Sequence, residues 1–285
     1  MNSSRHLPFL IIALVLVMGC TSAPISSNSA TPSPTTNAVP PGTNLSTVLA
    51  SFTSDTNASL QEIDRTLVSA ATDIGCSGLT GPAANATLER LAAASPHSAG
   101  AITITPEGRI AAAMPPEYWG AVGINIADQA HVRKSLQERQ PLMSMPFPAV
   151  EGFEAVAIQR PVMNDTGAFL GLVSIAFEPS LLLGDSANRS LNGTCFTAWA
   201  IDTDGRLLYN SDDDELVGHN LLTDPLFADY PELRGLAERM VVEPTGSGSY
   251  TFNSSGGGPA VTKDAVWGTA GIHRAEWRLV VAREV

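Results

Sequence analysis

Between Leu45 and Ile74 the apolar residues Leu45, Val48, Leu49, Phe52, Leu60, Ile63, Leu67, Ala70, Ala71 and Ile74 recur mostly at steps of three and four. That spacing lays one apolar stripe along a single long helix. At 1.5 Å per residue such a helix is about 45 Å long. It serves either as a spine shared by two units or as a dimer seam. Gly75-Cys76-Ser77-Gly78 ends it.

The period then changes. A second helix is expected over Ala86–Ala94, capped by Asn85. AITITPEGRIAAAMP reads as two strands around Pro106-Glu107-Gly108, and IADQAHVRKSLQERQ returns to helix. Three strands follow in PLMSMPF, FEAVAIQRPVM and FLGLVSIAFEP, the last two joined by Asn164-Asp165-Thr166-Gly167. Ser186–Gly193 is polar and reads as a linker. Beyond it the cadence repeats: FTAWAID and RLLYN around Asp204-Gly205, the amphipathic YPELRGLAERMV, then GSYTF, AVTKDAVWGTA and EWRLVVARE. Trp199, Tyr209, Trp267 and Trp277 are expected in the core of this unit. Two copies of one small α+β unit account for the pattern.

The N-terminus bears on compartment. Arg5 and His6 precede the apolar run Leu7–Met18, which is too short for a span of about 20 residues and fits a secretory leader over residues 1–19. VMGC resembles the lipobox of prokaryotic lipoproteins, which makes Cys20 the lipidation site; the alternative is a short uncleaved anchor. Residues 20–44 are rich in Ser, Thr and Pro, cannot bury enough surface to offset ordering entropy, and read as a disordered tether. The expected location is the extracytoplasmic face of the cell membrane. A formal charge of −12 argues against nucleic acid as a partner. Cys76 and Cys195 form an even pair that an oxidising compartment allows to join as a disulfide; otherwise they are two buried thiols. Beyond the leader, seven N-x-[ST] motifs, at Asn44, Asn57, Asn85, Asn164, Asn188, Asn192 and Asn253, read as the product of a Ser/Thr-rich composition.

The chain carries no hydrolase elbow, H-E-x-x-H, phosphate loop or CxxC. AIDTDGRLLYNSDDDE, residues 200–215, fails the EF-hand spacing, because counting from Asp202 puts Gly205 fourth. It reads instead as a hairpin followed by a solvated acidic loop. No enzymatic activity, cofactor or metal is expected.

The VAIQRPVMNDTGAFLGLVSIAF strand pair after Asp128–Leu136 and PLMSMPF, with IDTDGRLLYNSD, VGHNLL and WGTAGIHRAEWRLVVARE later, resembles the extracytoplasmic double Cache sensor family. The resemblance covers residues 45–285. It implies a long N-terminal helix (45–75) and two PAS-like domains, each an antiparallel sheet flanked by helices: a membrane-distal one over 76–185 and a membrane-proximal one over 186–285. It also implies a small-molecule pocket between the distal sheet and its covering helix and loops. A subgroup of the family binds amino acids through an arginine, a tryptophan and a tyrosine on the pocket helix and an aspartate on the last strand. Those positions fall near Gln129, at His131, at Val132 and at Ala176, so an amino-acid receptor is not expected.

The candidate ligand-binding residues are Tyr118, Trp119, Gln129, His131, Arg133, Met143, Ser144, Phe147 and Arg160, which mix apolar surface with polar groups as ligand pockets do. The plainer alternatives are a surface His131, a solvated Arg133, and Met143 and Phe147 as core. The expected function is a lipid-anchored sensor or binding protein with no output domain of its own, passing any signal to a membrane partner, with a homodimer through the 45–75 helix as an option. The competing expectation is an envelope structural protein with a filled pocket.

Overall fold

Asn44 opens the first helix: its side-chain oxygen accepts from the Thr47 backbone N–H at 2.9 Å, satisfying one of the donors that a helix start leaves bare. The structure, a computed structural model, describes residues 44–148, 153–252 and 260–285. The leader, Cys20, the tether up to residue 43 and the Asn253 motif lie outside the described residues. Helix α1 runs Leu45–Ser77 and stops at Gly78, whose φ is 89°. Its buried face follows the expected stripe, with Thr56 filling the step between Phe52 and Leu60.

Helix α2, Pro82–Ala93, starts earlier than the sequence suggests. Pro82 is preorganised for a first helical turn, and Asn85 lies inside the helix rather than capping it. Then come β1 (Ser98–Ile104), β2 (Ile110–Met114), a 3-10 turn (Pro116–Ala121), α3 (Ala130–Glu138), and the short strands β3 (Leu142–Met143) and β4 (Phe147–Pro148). Strands β5 (Glu154–Met163) and β6 (Phe169–Phe177) complete the first sheet, and α4 (Pro179–Leu191) leads away from it. The second set comprises β7 (Thr197–Asp202), β8 (Leu207–Asn210), α5 (Pro231–Val242), β9 (Gly246–Phe252), β10 (Val261–Ile272) and β11 (Ala275–Glu284). The expected α+β organisation is thus present: a long helix and two antiparallel sheets flanked by helices.

The sheets share one topology. Their orders are β2-β1-β6-β5-β3, with β4 also on β5, and β8-β7-β11-β10-β9. In each the last strand lies beside the first. The likeness extends to single residues, through a repeat that the linear reading does not single out: EGRI with GINI in the first unit, DGRL with GHNL in the second. Arg109 Nη1 donates to the Gly123 carbonyl at 3.1 Å, and Arg206 Nη1 to that of Gly218 at 3.3 Å. Asn125 Nδ2 donates to the Glu107 carbonyl at 3.3 Å, and Asn220 Nδ2 to that of Asp204 at 2.8 Å. Each asparagine also accepts the N–H two residues on, from Ala127 and Leu222. Both hairpin glycines have positive φ, and a Cβ would come within 2.5 Å of Ala127 at Gly108 and 2.7 Å of Leu222 at Gly205. The same side-chain lock closes both first hairpins.

The α1 stripe shares one core with Val156, Ile158 and Val162 of β5, Val173, Ile175 and Phe177 of β6, and Trp277, Leu279 and Val281 of β11. Fully buried side chains such as Phe52, Leu60 and Leu67 each stabilise by about 1.5–3 kcal/mol. The stripe is therefore a spine within one chain, and a dimer through α1 would have to use its polar face. Trp199 and Trp267 belong to a second core under α5, whereas Tyr209 and Trp277 face the α1 side.

Two expectations are corrected. Ser186–Gly193 is mostly the second half of α4, because Ser186 and Ala187 are small enough to bury beside Leu182 and Leu183. Cys76 and Cys195 are both free and exposed. Ser190 of α4 bonds Ser51 near the start of α1, whereas Cys76 lies at its far end. The point where Ser190, five residues before Cys195, meets α1 is thus roughly 37 Å along the helix from Cys76, more than those five residues and the ~6 Å between the Cα atoms of a disulfide can span.

Candidate functional site

Alternation along β5 decides what faces what. Val156, Ile158 and Val162 join the α1 core, so Ala155, Ala157 and Gln159 point to the opposite face, where they line a cavity of about 250 Å³. Register aligns the floor in two rows across three strands. Gly100, Ala176 and Ala157 form one, and their small side chains create the space. Ile102, Ser174 and Gln159 form the other. The cover comes from Tyr118 of the 3-10 turn, Ile126, Gln129 and His131 at the start of α3, and Phe147 of β4. The His131 and Phe147 rings stack with centroids 4.9 Å apart and planes 21° apart. A Cβ on Gly100 would lie 2.9 Å from the Tyr118 ring, so glycine admits the cover at that point.

The site is uncharged. No described lining residue other than His131 carries a titratable group near neutral pH. Burial pushes the His131 imidazole down to about 4, which keeps it neutral at pH 7. Gln159 is 1% exposed, and its Oε1 has no hydrogen-bond partner among the described residues. A buried carbonyl oxygen left so costs about 1–3 kcal/mol. Ser174, its cross-strand neighbour, is 3% exposed.

Of the candidate residues, Tyr118, Gln129, His131 and Phe147 meet at this cavity. Met143 and Ser144 lie just beyond, on an outer groove of about 570 Å³ that runs past His131 and Phe147 to Lys134, Thr203, His273 and Arg274. Met143 itself is in the core, and Ser144 Oγ accepts the Ala157 N–H at 2.9 Å, tying the β3–β4 bend to β5. Three candidates point elsewhere. Trp119 is 55% exposed: a 3-10 turn rotates successive side chains by about 120°, so with Tyr118 inward its neighbour faces out. Arg133 is exposed and bonds back to the Asp128 carbonyl at 3.5 Å, while α3 buries Val132 and Ser135 instead. Arg160 lies on the α1 side of β5. Its Nε and Nη2 donate to Asp64 Oδ1 and Oδ2 at 2.9 and 2.6 Å, and His273 Nε2 reaches Asp64 Oδ1 at 2.8 Å. Burial acts to raise the Asp64 carboxyl, but the bonds from Arg160 and His273 outweigh it and hold the group below the ordinary carboxylate value.

The linear reading missed Gln159, Ser174 and the small-residue row apart from Ala176. Parity with Ala155 and Ala157 could have singled out Gln159, but the adjacent arginine drew the assignment. A larger cleft of about 800 Å³ opens between α4 and the segment after β8. Glu154, Glu178, Asp185 and Asp214 lie around it, and that charge favours solvation over ligand burial.

Comparison with known proteins fits this architecture. Residues 58–179, which include the whole cavity, match the HK/GC/chemotaxis protein-like sensor domain family. An extracellular ligand binding receptor from Desulfohalobium retbaense is similar in structure, with a TM-score of 0.69 and 25% identity over 82% of this chain, and the chain spans 39% of its length. The ligand-binding domain of the amino-acid chemoreceptor PctC of Pseudomonas aeruginosa, in complex with GABA, is 16% identical, with a TM-score of 0.58 over 82% of this chain and 96% of its own. The periplasmic sensory domain of the Campylobacter jejuni chemoreceptor Tlp1 is 15% identical, with a TM-score of 0.57 over 84% of this chain and 93% of its own. No curated protein sequence matches the chain. With one spine helix and two sheets of a single topology, the chain has the double Cache-type, PAS-like fold, and its residues 58–179 match the sensor-domain family.

Proposed function

We propose that the chain is an extracytoplasmic sensor or binding lipoprotein, anchored through Cys20, that holds a small molecule in a membrane-distal unit of residues 76–185. Residues 186–285 form the membrane-proximal unit. The observation that carries the reading is the covered cavity on the face of the first sheet turned away from α1. Its floor is cleared by Gly100, Ala157 and Ala176, and it keeps a buried Gln159 whose Oε1 has no hydrogen-bond partner among the described residues. The family match and the leader-like N-terminus support the location, and no helix among the described residues is long and apolar enough to cross a membrane. Relatives solved with GABA or amino acids support ligand binding as the use of such a fold. In this reading the ligand state passes to a separate membrane partner through α1, which packs on both sheets.

The test is a thermal-shift screen of the full chain against carboxylates, amines, purines, sugars and amides. A ligand at about a hundred times its Kd should stabilise the protein by about 2.7 kcal/mol. Ala176→Phe fills the cavity floor and should abolish the shift while leaving the chain folded. A shift that survives Ala176→Phe would place binding elsewhere. A screen without hits would favour the envelope-structural role.

A further inference from the structure

The polar groups of the cavity say more than that it binds something. A zwitterionic amino acid needs a cation for its carboxylate and an acid for its ammonium, because a charge moved out of water without a partner is costly. The described lining residues supply neither. At the last-strand position that would face an ammonium stands Ala176. The basic groups nearby, Lys134, His273 and Arg274, line the outer groove on the far side of the His131–Phe147 stack. What the floor does offer is a neighbouring pair of neutral hydrogen-bonding groups. Gln159 and Ser174 are directly opposed on β5 and β6, both almost wholly buried. The Gln159 oxygen requires a donor, and the Ser174 hydroxyl can donate or accept. Ile102, Ile126, Tyr118 and Phe147 surround the pair with apolar and aromatic surface. The cavity, about 250 Å³, lies below the roughly 300–1,000 Å³ of drug-sized ligand sites, so the occupant is small.

We infer that the cavity selects an uncharged, compact, largely apolar molecule carrying an amide-like edge, an N–H beside a C=O as in a lactam or a pyrimidinone, with the N–H on Gln159 and the C=O on Ser174. This rests on the reading that the first unit holds a ligand. His131, kept neutral by burial, suits a neutral guest.

Isothermal titration of the full chain at neutral pH with two uncharged probes, δ-valerolactam and uracil, tests it. Isoleucine and 4-aminobutyrate serve as zwitterions and benzoate as an anion. Binding of an uncharged probe, weakened at least about tenfold by Gln159→Leu, a loss of about 1.4 kcal/mol, is the expected result. Gln159→Glu should abolish that binding too, and circular dichroism and the melting temperature check that both variants are folded. Binding of a zwitterion or of benzoate that Ala176→Phe removes, with no uncharged probe binding at millimolar concentration, overturns the ligand class and leaves the site standing. Uncharged-probe binding unaffected by Gln159→Leu overturns the assigned contact. If no probe of any class binds and Ala176→Phe only stabilises the fold, the inference and the binding-site reading fail together.

Discussion

Protonating His131 means putting a charge beside an apolar cavity. Its imidazole is pushed down to about 4 by burial, while in the unfolded chain it titrates near its ordinary value of 6.5. The unfolded state therefore binds a proton first as pH falls, and the folded state loses stability from about pH 6.5 down to about 4. Between pH 7 and pH 4.5 this group should cost the native protein about 2 kcal/mol. His131→Phe keeps a ring against Phe147 and removes the proton site. Urea unfolding at both pH values should show the variant losing about 2 kcal/mol less than the wild type. Equal losses would show an imidazole as well solvated in the fold as out of it. The residue scale is also where the sequence was least readable. Tyr118, Gln129, His131 and Phe147 were legible as lining because the family resemblance marks Asp128–Leu136 as the pocket helix and these residues lie on or beside it. Gln159 was not, because one step along a strand exchanges the pocket face for the core face, and only the register shows that Gln159 rather than Arg160 faces the pocket.

At the scale of elements, the paired hairpin locks make a prediction that a single copy could not. Asn125 and Asn220 occupy equivalent places and make equivalent bonds. Replacing either with Ala removes the bonds to a hairpin carbonyl and a turn N–H, which water can reach, at about 0.5–1.5 kcal/mol. Both variants should therefore lower the urea midpoint by similar amounts. They should differ in function, because the Asn125 lock leads into Ile126 and Gln129 of the cavity cover, whereas the Asn220 lock leads into the second core. Asn125→Ala should weaken ligand binding at the first sheet, and Asn220→Ala should not; titration of the two folded variants separates them. Most elements were legible from period alone, since the stripe of α1 and the alternation of the long strands report directly on buried faces. The failures have physical causes. Pro82 starts a helix without a polar cap, and the Ser- and Ala-rich end of α4 is helical because small residues allow close packing on α1. The β10–β11 turn carries His273 and Arg274 at φ 53° and 70°, where the sequence shows none of the Asn-Gly signals such a turn normally carries.

On the scale of the whole molecule, the two sheets meet at one carboxylate. Asp64 lies midway along α1, Arg160 comes from the first sheet, and His273 from the turn of the second. The Asp64 and Arg160 side chains are 14% and 21% exposed, so the pair is shielded enough to matter but not deeply buried. Fully buried pairs cost about 3–5 kcal/mol when one partner is removed, and exposed pairs about 0–1. Asp64→Asn should fall between, at about 2 kcal/mol at pH 7. The sign of its pH dependence follows from the lowered carboxyl. The stabilisation is fully present above the unfolded value of 3.8 and is lost as pH falls through the lower folded value. The gap between wild type and Asp64→Asn should thus persist at pH 5 and close only in strong acid. Arg160→Gln and His273→Gln should each cost less than Asp64→Asn. Because Arg160 and His273 share the one Asp64 carboxylate, combining either with Asp64→Asn should add almost nothing. Additive losses would mean that Arg160 and His273 act on their own sheets and that Asp64 does not join them. A common, saturating loss would identify Asp64 as the point at which the spine helix holds the first sheet to its neighbour.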